Sequence, residues 1–225
     1  MRIIAGTLRG RQIQAPPGTH TRPMLDRVRQ AVFNIIGAAW GDPGSLPPVA
    51  VLDVFAGSGA LGIEALSRGA AHCCFVEDDP AAVRTLKANL KTLGLEPRAR
   101  IVQANALTVK VPAPATGSPD MQASPRPEGE AAGQAATPAA PAAYGIVFLD
   151  PPYALSRDGS PGGPIGQLLA SLPQHADLAP SALVVLRHET DVRYDQHVYG
   201  RFKALDVRKY GGMAVTFMER AMVSG

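Results

Sequence analysis

Apolar and polar positions alternate weakly through residues 1–14 around Gly6-Thr7-Leu8-Arg9-Gly10, the pattern of a short β-hairpin that Pro16, Pro17 and Gly18 bring to an end. From Met24 to Ala39 the residues Leu25, Val28, Val32, Phe33, Ile35 and Ile36 recur at helical spacing, with Phe33 and Trp40 expected to pack inward. After a Gly/Pro loop at 42–48, Val49–Phe55 is apolar apart from Asp53, as expected of a strand covered on both faces. A helix over about Ala60–Ser67 stops at Gly69, and His72–Val76 is a second buried strand running into Glu77. Pro80 opens a helix that lasts to about Leu93 and ends at Gly94, followed by a short strand at Arg100–Gln103. The pattern resumes with a strand at Ile146–Leu149, a helix at Ile165–Leu172 and a strand at Ala182–Leu186. A terminal hairpin, Leu205–Tyr210 and Ala214–Met218, turns at Gly211-Gly212. Strand alternating with helix predicts a doubly wound α/β fold: a mostly parallel sheet of about seven strands with an antiparallel C-terminal strand. Residues 1–40 form a hairpin-plus-helix extension of the same domain, and 41–225 its main body.

Residues 111–143 break the pattern. They are rich in alanine and proline, with Val111 and Met121 the only large apolar residues, and read as a disordered insertion near the ligand side of the sheet. No apolar run reaches the roughly 18 residues of a membrane span, and the N-terminus has no signal-like apolar stretch. The two cysteines, Cys73 and Cys74, are adjacent within an apolar strand; they are expected to be core thiols in a reducing cytoplasm, with no metal site. The five histidines lack ligand spacing. The net charge of +3 is unevenly placed: six arginines stand against Asp26 in residues 1–40. Such concentration suits a phosphate backbone, although a solvated face would look the same.

Two motifs carry chemistry. In Asp53-Val54-Phe55-Ala56-Gly57-Ser58-Gly59 a strand runs into glycines that let the backbone turn tightly and approach a ligand, before a helix whose first amides are open. Glu77, at the end of the next strand, is placed to accept from ribose hydroxyls. Gly57, Gly59 and Gly62 also match a dinucleotide fingerprint, so a nicotinamide dinucleotide and S-adenosylmethionine compete. Asp53 favours the second, because it can accept from a methionine ammonium that a dinucleotide lacks. The expected cofactor residues are Asp53, Phe55, Ala56, Gly57, Ser58, Gly59, Glu77 and Asp78, with Asn105 and Ala106 after the third strand. Asn105 either reads adenine or simply makes a turn.

The second motif, Asp150-Pro151-Pro152-Tyr153, ends a buried strand beside the same crevice. Its prolines remove two amide donors, leaving the Asp150 carboxylate and the Pro151 carbonyl as acceptors for an exocyclic amine. Tyr153 offers a flat face for a base. The gain would come from orientation and electrostatics, and a base from a duplex would have to be flipped out.

With these motifs in place, the chain resembles the bacterial 16S ribosomal RNA guanine-N2 methyltransferase family. The resemblance is carried by Arg2-Ile3-Ile4-Ala5-Gly6 with Arg9-Gly10-Arg11, by Arg22-Pro23 with Asp26-Arg27-Val28-Arg29 and Phe33-Asn34, by Phe55 to Gly62 with Glu64-Ala65-Leu66-Ser67-Arg68, and by Asp150 to Tyr153. It implies a class I S-adenosylmethionine-dependent, Rossmann-like methyltransferase fold and methylation of one guanine N2 during small-subunit assembly. It implies that Asp150, Pro151, Pro152 and Tyr153 grip the base, and that Arg9, Arg11, Arg22, Arg27 and Arg29 lie near RNA or shape the pocket. Met24, where relatives often have Thr, and the 111–143 insertion depart from the family. The rival readings are an amino-methyltransferase acting on adenine N6 or protein glutamine, an NAD-dependent oxidoreductase, and an RNA-binding scaffold without activity. A monomer is expected, since no spare apolar stripe is evident.

Overall fold

The computed structural model describes residues 1–16, 24–114 and 141–220. Arg22 and most of the 111–143 segment lie outside the described residues. The elements are α1 (Asp26–Ala38), β1 (Ala50–Val54), α2 (Ala60–Ser67), β2 (His72–Glu77), α3 (Pro80–Leu93), β3 (Ala99–Gln103), β4 (Tyr144–Leu149), α4 (Tyr153–Ser156), α5 (Pro164–His175), β5 (Leu178–Glu189), β6 (Val198–Tyr199), β7 (Phe202–Tyr210) and β8 (Met213–Arg220). They form one sheet of order β3-β2-β1-β4-β5-β8-β7-β6. The first five strands are mutually parallel, β8 runs antiparallel between β5 and β7, and β6 is a two-residue edge strand the sequence pattern did not reveal. This is the class I methyltransferase arrangement.

Alternation along the strands divides the core between the sheet's two faces. Val51, Phe75, Ile146, Phe148, Val185 and Phe217 join α1, α2 and α3 in one apolar layer. Leu52, Val54, Cys74, Val147, Leu149 and Leu186 join α5 in the other. Every residue of β1 is buried, as its unbroken apolar run predicts. Cys73 and Cys74 are buried free thiols, one in each layer. Trp40 is 41% exposed, contrary to expectation: α1 ends at Ala38, so Trp40 sits in the following turn rather than on the packed helix face.

The N-terminal residues fold back through a single antiparallel bridge, Arg2 to Gln12, and place Ile3 and Ile13 in the layer with α1. One buried carboxylate docks this segment. Glu64 on α2 accepts from the Ile4 and Ala5 amides at 2.8 and 3.0 Å. It also pairs with Arg68 at 2.8 Å and Arg29 at 3.6 Å, all three side chains being almost wholly buried. The described flank of the insertion is pinned by Val111, whose amide donates to the His175 carbonyl, and by Pro112, whose carbonyl accepts from the Tyr144 hydroxyl. Tyr144 begins β4, so this flank sits at the opposite end of the strand from Asp150, and not near the ligand side as the sequence suggested.

Candidate active site

β1, β2, β4 and β5 present their carboxyl ends to a crevice of about 290 Å³ at the point where strand order reverses between β1 and β4, the place where open α/β sheets bind ligands. Asp53, Phe55, Ala56, Gly57, Ser58, Glu77, Asp78, Asp150 and Pro152 line it, so most of the first motif converges there with half of the second, while Pro151 and Tyr153 do not line it. The N-terminal segment and α1 add Met1, Ala15, Pro16, Met24 and Arg29, and β5 adds Arg187.

The turn after β1 has two backbone features. Phe55 has φ of 63°, the only positive φ at a non-glycine residue among those described, a local strain of the kind found at binding sites. Gly57 has φ of 55°, and a Cβ there would meet nothing within 4 Å, so its backbone is open to the crevice. Gly59 serves packing instead: a Cβ there would lie 2.4 Å from Leu86 Cδ1, so it faces α3 and not the crevice. Gly62 allows α2 to approach β2, where a Cβ would stand 2.4 Å from Phe75 Cε1.

Asp53 Oδ2 accepts the Gly62 amide at 2.9 Å, capping α2 from the neighbouring strand in place of an N-cap side chain. Burial holds the Asp53 carboxyl well above its usual range, helped by the nearby Asp150 and Glu77. Glu77 Oε2 accepts from Gly57 N at 2.7 Å, and its Oε1 accepts from Asp78 N and Asp79 N at 3.0 Å each. Three of the four acceptor positions of this carboxylate are therefore taken. A ribose would find one open position on Oε2, and accepting from both hydroxyls would require Glu77 to release an amide. Acids dominate the crevice wall: Asp53, Glu77, Asp78, Asp79 and Asp150 face two cations, Arg29 and Arg187. Such a wall suits a ligand carrying a sulfonium and an ammonium, and opposes the pyrophosphate of a dinucleotide.

Asn105 and Ala106 do not line the crevice. Asn105 Oδ1 turns back to accept the Leu107 amide at 2.9 Å, the turn-forming alternative, and Ala106 is buried in the layer with α5.

At the end of β4, the Asp150 amide donates to the Val54 carbonyl at 3.3 Å, tying the second motif to β1. Pro152 faces the crevice, Pro151 is buried, and Tyr153 begins α4. Arg187, one residue beyond the run read as a strand, lines the crevice and was not singled out from the sequence. Its Nε pairs with Asp150 Oδ1, its side chain is 6% exposed, and its guanidinium lies 5.5 Å from the Tyr153 ring centroid. Burial raises the Asp150 carboxyl, and the Arg187 charge and hydrogen bond oppose that rise. The signal available was an arginine directly following Ala182–Leu186.

The candidate RNA-facing arginines separate. Arg9 and Arg27 are exposed and border a second depression with Arg2 and Gln30. Arg11 is exposed, with Nη2 donating to the Thr92 carbonyl at 3.0 Å. Arg29 is 1% exposed and held by Asp26, Glu64 and the Arg2 carbonyl, so it is part of the internal network at the crevice rather than a surface contact. Burial lowers its pKa against the pull of Glu64 and Asp26. Among the described residues no group of three or more metal-ligating side chains occurs. Nor, among the described residues, is any helix long and apolar enough to cross a membrane.

The chain is 36% identical over 199 residues to "Putative rRNA methyltransferase YlbH" of Bacillus subtilis, covering 88% of each chain. It is 34% identical over 195 residues to "Ribosomal RNA small subunit methyltransferase D" of Escherichia coli, covering 85% of this chain and 76% of that one. The solved structure described as "Putative methyltransferase yhhF from Escherichia coli" superposes with a TM-score of 0.68 at 30% identity, over 98% of both chains. At 13% identity, an RNA methyltransferase from Salinibacter ruber in complex with S-adenosyl-L-homocysteine shares the fold, with a TM-score of 0.56 over 91% of this chain and 97% of that one. The family model described as Conserved hypothetical protein 95 matches residues 1–122 and 126–219, and the chain belongs to that family.

Proposed function

We propose that the chain transfers a methyl group from S-adenosylmethionine to the exocyclic N2 amine of a guanine in 16S ribosomal RNA. The Bacillus subtilis relative is named for ribosomal RNA and the Escherichia coli relative for ribosomal RNA of the small subunit, which supports this substrate. The observation that carries the reading is the acid-lined crevice into which Asp150 projects, paired with Arg187. The cofactor, when bound, supplies an electrophilic methyl group on a positively charged sulfur. Asp53 would accept from its ammonium, the open backbone at Gly57 would lie against it, and Glu77 would receive the ribose.

An ionised carboxylate only accepts hydrogen bonds. Guanine places two donors side by side, N1–H and N2–H, whereas adenine and cytosine set an acceptor ring nitrogen beside their amine. An anionic Asp150 therefore favours guanine. With the Pro151 carbonyl it orients the amine and draws its lone pair out of conjugation, a gain by positioning and electrostatics. The nitrogen loses its proton after alkylation, so no strong base is required. Tyr153 provides a stacking face for a base that is unpaired or flipped out. In this reading residues 1–40 are an RNA-contacting extension of one domain, with the exposed Arg9, Arg11 and Arg27 meeting phosphates of the small subunit or its assembly intermediate. Incubation with tritiated S-adenosylmethionine and unmodified RNA of each ribosomal subunit tests it. Label should enter small-subunit RNA; label confined to large-subunit RNA, DNA or protein would reject the substrate.

A further inference from the structure

Arg187 is a buried arginine placed on Asp150. Its guanidinium comes from β5, the strand paired in parallel with β4, so two neighbouring strands deliver opposite charges to one point at their carboxyl ends. The pair is asymmetric in access: the Asp150 side chain is 22% exposed and reaches the crevice, whereas Arg187 is 6% exposed behind it. The same guanidinium lies over Tyr153, three residues on, so one cation touches both the acceptor and the stacking face of the second motif. Burying a lone carboxylate favours its neutral form, and a close guanidinium opposes that preference. The backbone here is already fixed by the Asp150–Val54 hydrogen bond and the two prolines.

We propose that Arg187 is a positioning residue that holds Asp150 as an oriented anion, so that the motif presents acceptors alone and selects the guanine edge. The inference rests on the methyltransferase reading. The other charged side chains lining the crevice around Asp150 are Asp53 from β1, Glu77 from β2 with Asp78 and Asp79 following it, and Arg29 from α1, while the Met1 ammonium, also on a lining residue, donates to the Ile13 carbonyl. The acids oppose ionisation of Asp150. Arg29 is committed to Asp26 and Glu64. Arg187 is thus the cation in direct contact with the carboxylate. A neutral Asp150 would present a donor beside an acceptor, a pattern that the Watson–Crick edges of adenine and cytosine match beside their amines and that the N1–H/N2–H edge of guanine does not.

The test is the pH profile of kcat/KM for methyl transfer in wild type, Arg187→Met and Arg187→Lys, with S-adenosylhomocysteine affinity measured in parallel to confirm a folded cofactor site. An opposite charge at contact distance moves a carboxyl by about one to three pH units. The acidic limb should therefore move up by about one unit or more in Arg187→Met and return most of the way in Arg187→Lys. In an Asp150→Asn background, adding Arg187→Met should shift no limb. Proportionate loss at every pH in Arg187→Met, with the acidic limb unmoved and S-adenosylhomocysteine still bound, would overturn the proposal. If Arg187→Met does not fold, Arg187→Gln, which keeps a hydrogen-bond donor but not the charge, decides: an acidic limb raised by about one-half unit or more supports the proposal, and a smaller shift with reduced kcat refutes it. Wild-type protein that binds no S-adenosylhomocysteine and methylates no RNA would instead refute the underlying function.

Discussion

Replacing Glu64 with alanine should damage both stability and the crevice. The carboxylate is fully buried and receives four groups: the Ile4 and Ala5 amides, Arg68 Nε and, at 3.6 Å, Arg29 Nε. Removing one partner of a buried ion pair costs about 3–5 kcal/mol, because the other charge is left uncompensated. Two stranded amides add about 1 kcal/mol each. Partial rescue is available: Arg29 keeps Asp26, and Arg68 keeps the Gly44 carbonyl at 3.5 Å and the Phe33 ring at 4.8 Å. The net loss should be about 4–6 kcal/mol. For a domain of this size each kcal/mol lowers Tm by about 2–4 °C, so Tm should fall by roughly 10–20 °C. The docked segment brings Met1, Ala15 and Pro16 to the crevice, so S-adenosylhomocysteine affinity should fall as well. Glu64→Gln, which keeps the shape and one acceptor, should lose less. Urea and thermal unfolding followed by circular dichroism, with calorimetric titration of S-adenosylhomocysteine, measure both effects. A Glu64→Ala protein within about 1 kcal/mol of wild type would refute the view that this carboxylate docks the N-terminal segment.

Alanine substitutions should separate two motif glycines. Gly62→Ala drives a methyl into Phe75 and Cys73 and should cost about 1–3 kcal/mol in thermal unfolding. Gly57→Ala meets no atom, so its stability cost should stay near the 1–2 kcal/mol of a left-handed alanine, while S-adenosylhomocysteine affinity drops at least tenfold; the reverse ranking would contradict the assignment. Because burial raises the Asp53 carboxyl, the stability it contributes is full below the unfolded pKa and is lost as pH rises through the folded value. Asp53→Asn, whose side-chain oxygen can still accept the Gly62 amide, should therefore raise Tm at pH 7.5 while weakening cofactor binding; a lower Tm would count against a buried, strained charge. Burial pushes the Cys74 thiol up to about 11 and the Cys73 thiol well above its usual value. Neither cysteine should react with a thiol-specific disulfide reagent in native protein at pH 8, and both should react in denaturant.

What the sequence made legible follows from how local each cause is. The bounds of α2 and α3 could be read from Gly69, Pro80 and Gly94, because punctuation by glycine and proline acts on the adjacent backbone. The two motifs could be placed at strand ends for the same reason, and they supply part of the crevice wall. The rest comes from other segments. Arg29 stands four residues before Phe33 and seven before Ile36, on the apolar face of α1, so internal pairing was open to the sequence, but nothing nearby tells that Glu64, 35 positions later, is the partner. Arg187 becomes meaningful only when the β4–β5 register sets it beside Asp150. Asn105 had two readings from sequence, and the backbone path after β3 turns its side chain onto Leu107. The position of the insertion's flank depended on Tyr144 and His175, which meet Pro112 and Val111 through tertiary packing alone.

The central claim concerns an atom: the N2 amine of guanine. It is tested most directly by letting the purified protein methylate unmodified small subunits with radiolabelled S-adenosylmethionine, digesting the RNA to nucleosides and separating them. Label recovered as N2-methylguanosine, absent with Asp150→Ala although that variant still binds S-adenosylhomocysteine, is the predicted result. Label in N6-methyladenosine or any other nucleoside, or full activity in Asp150→Ala, would contradict the account.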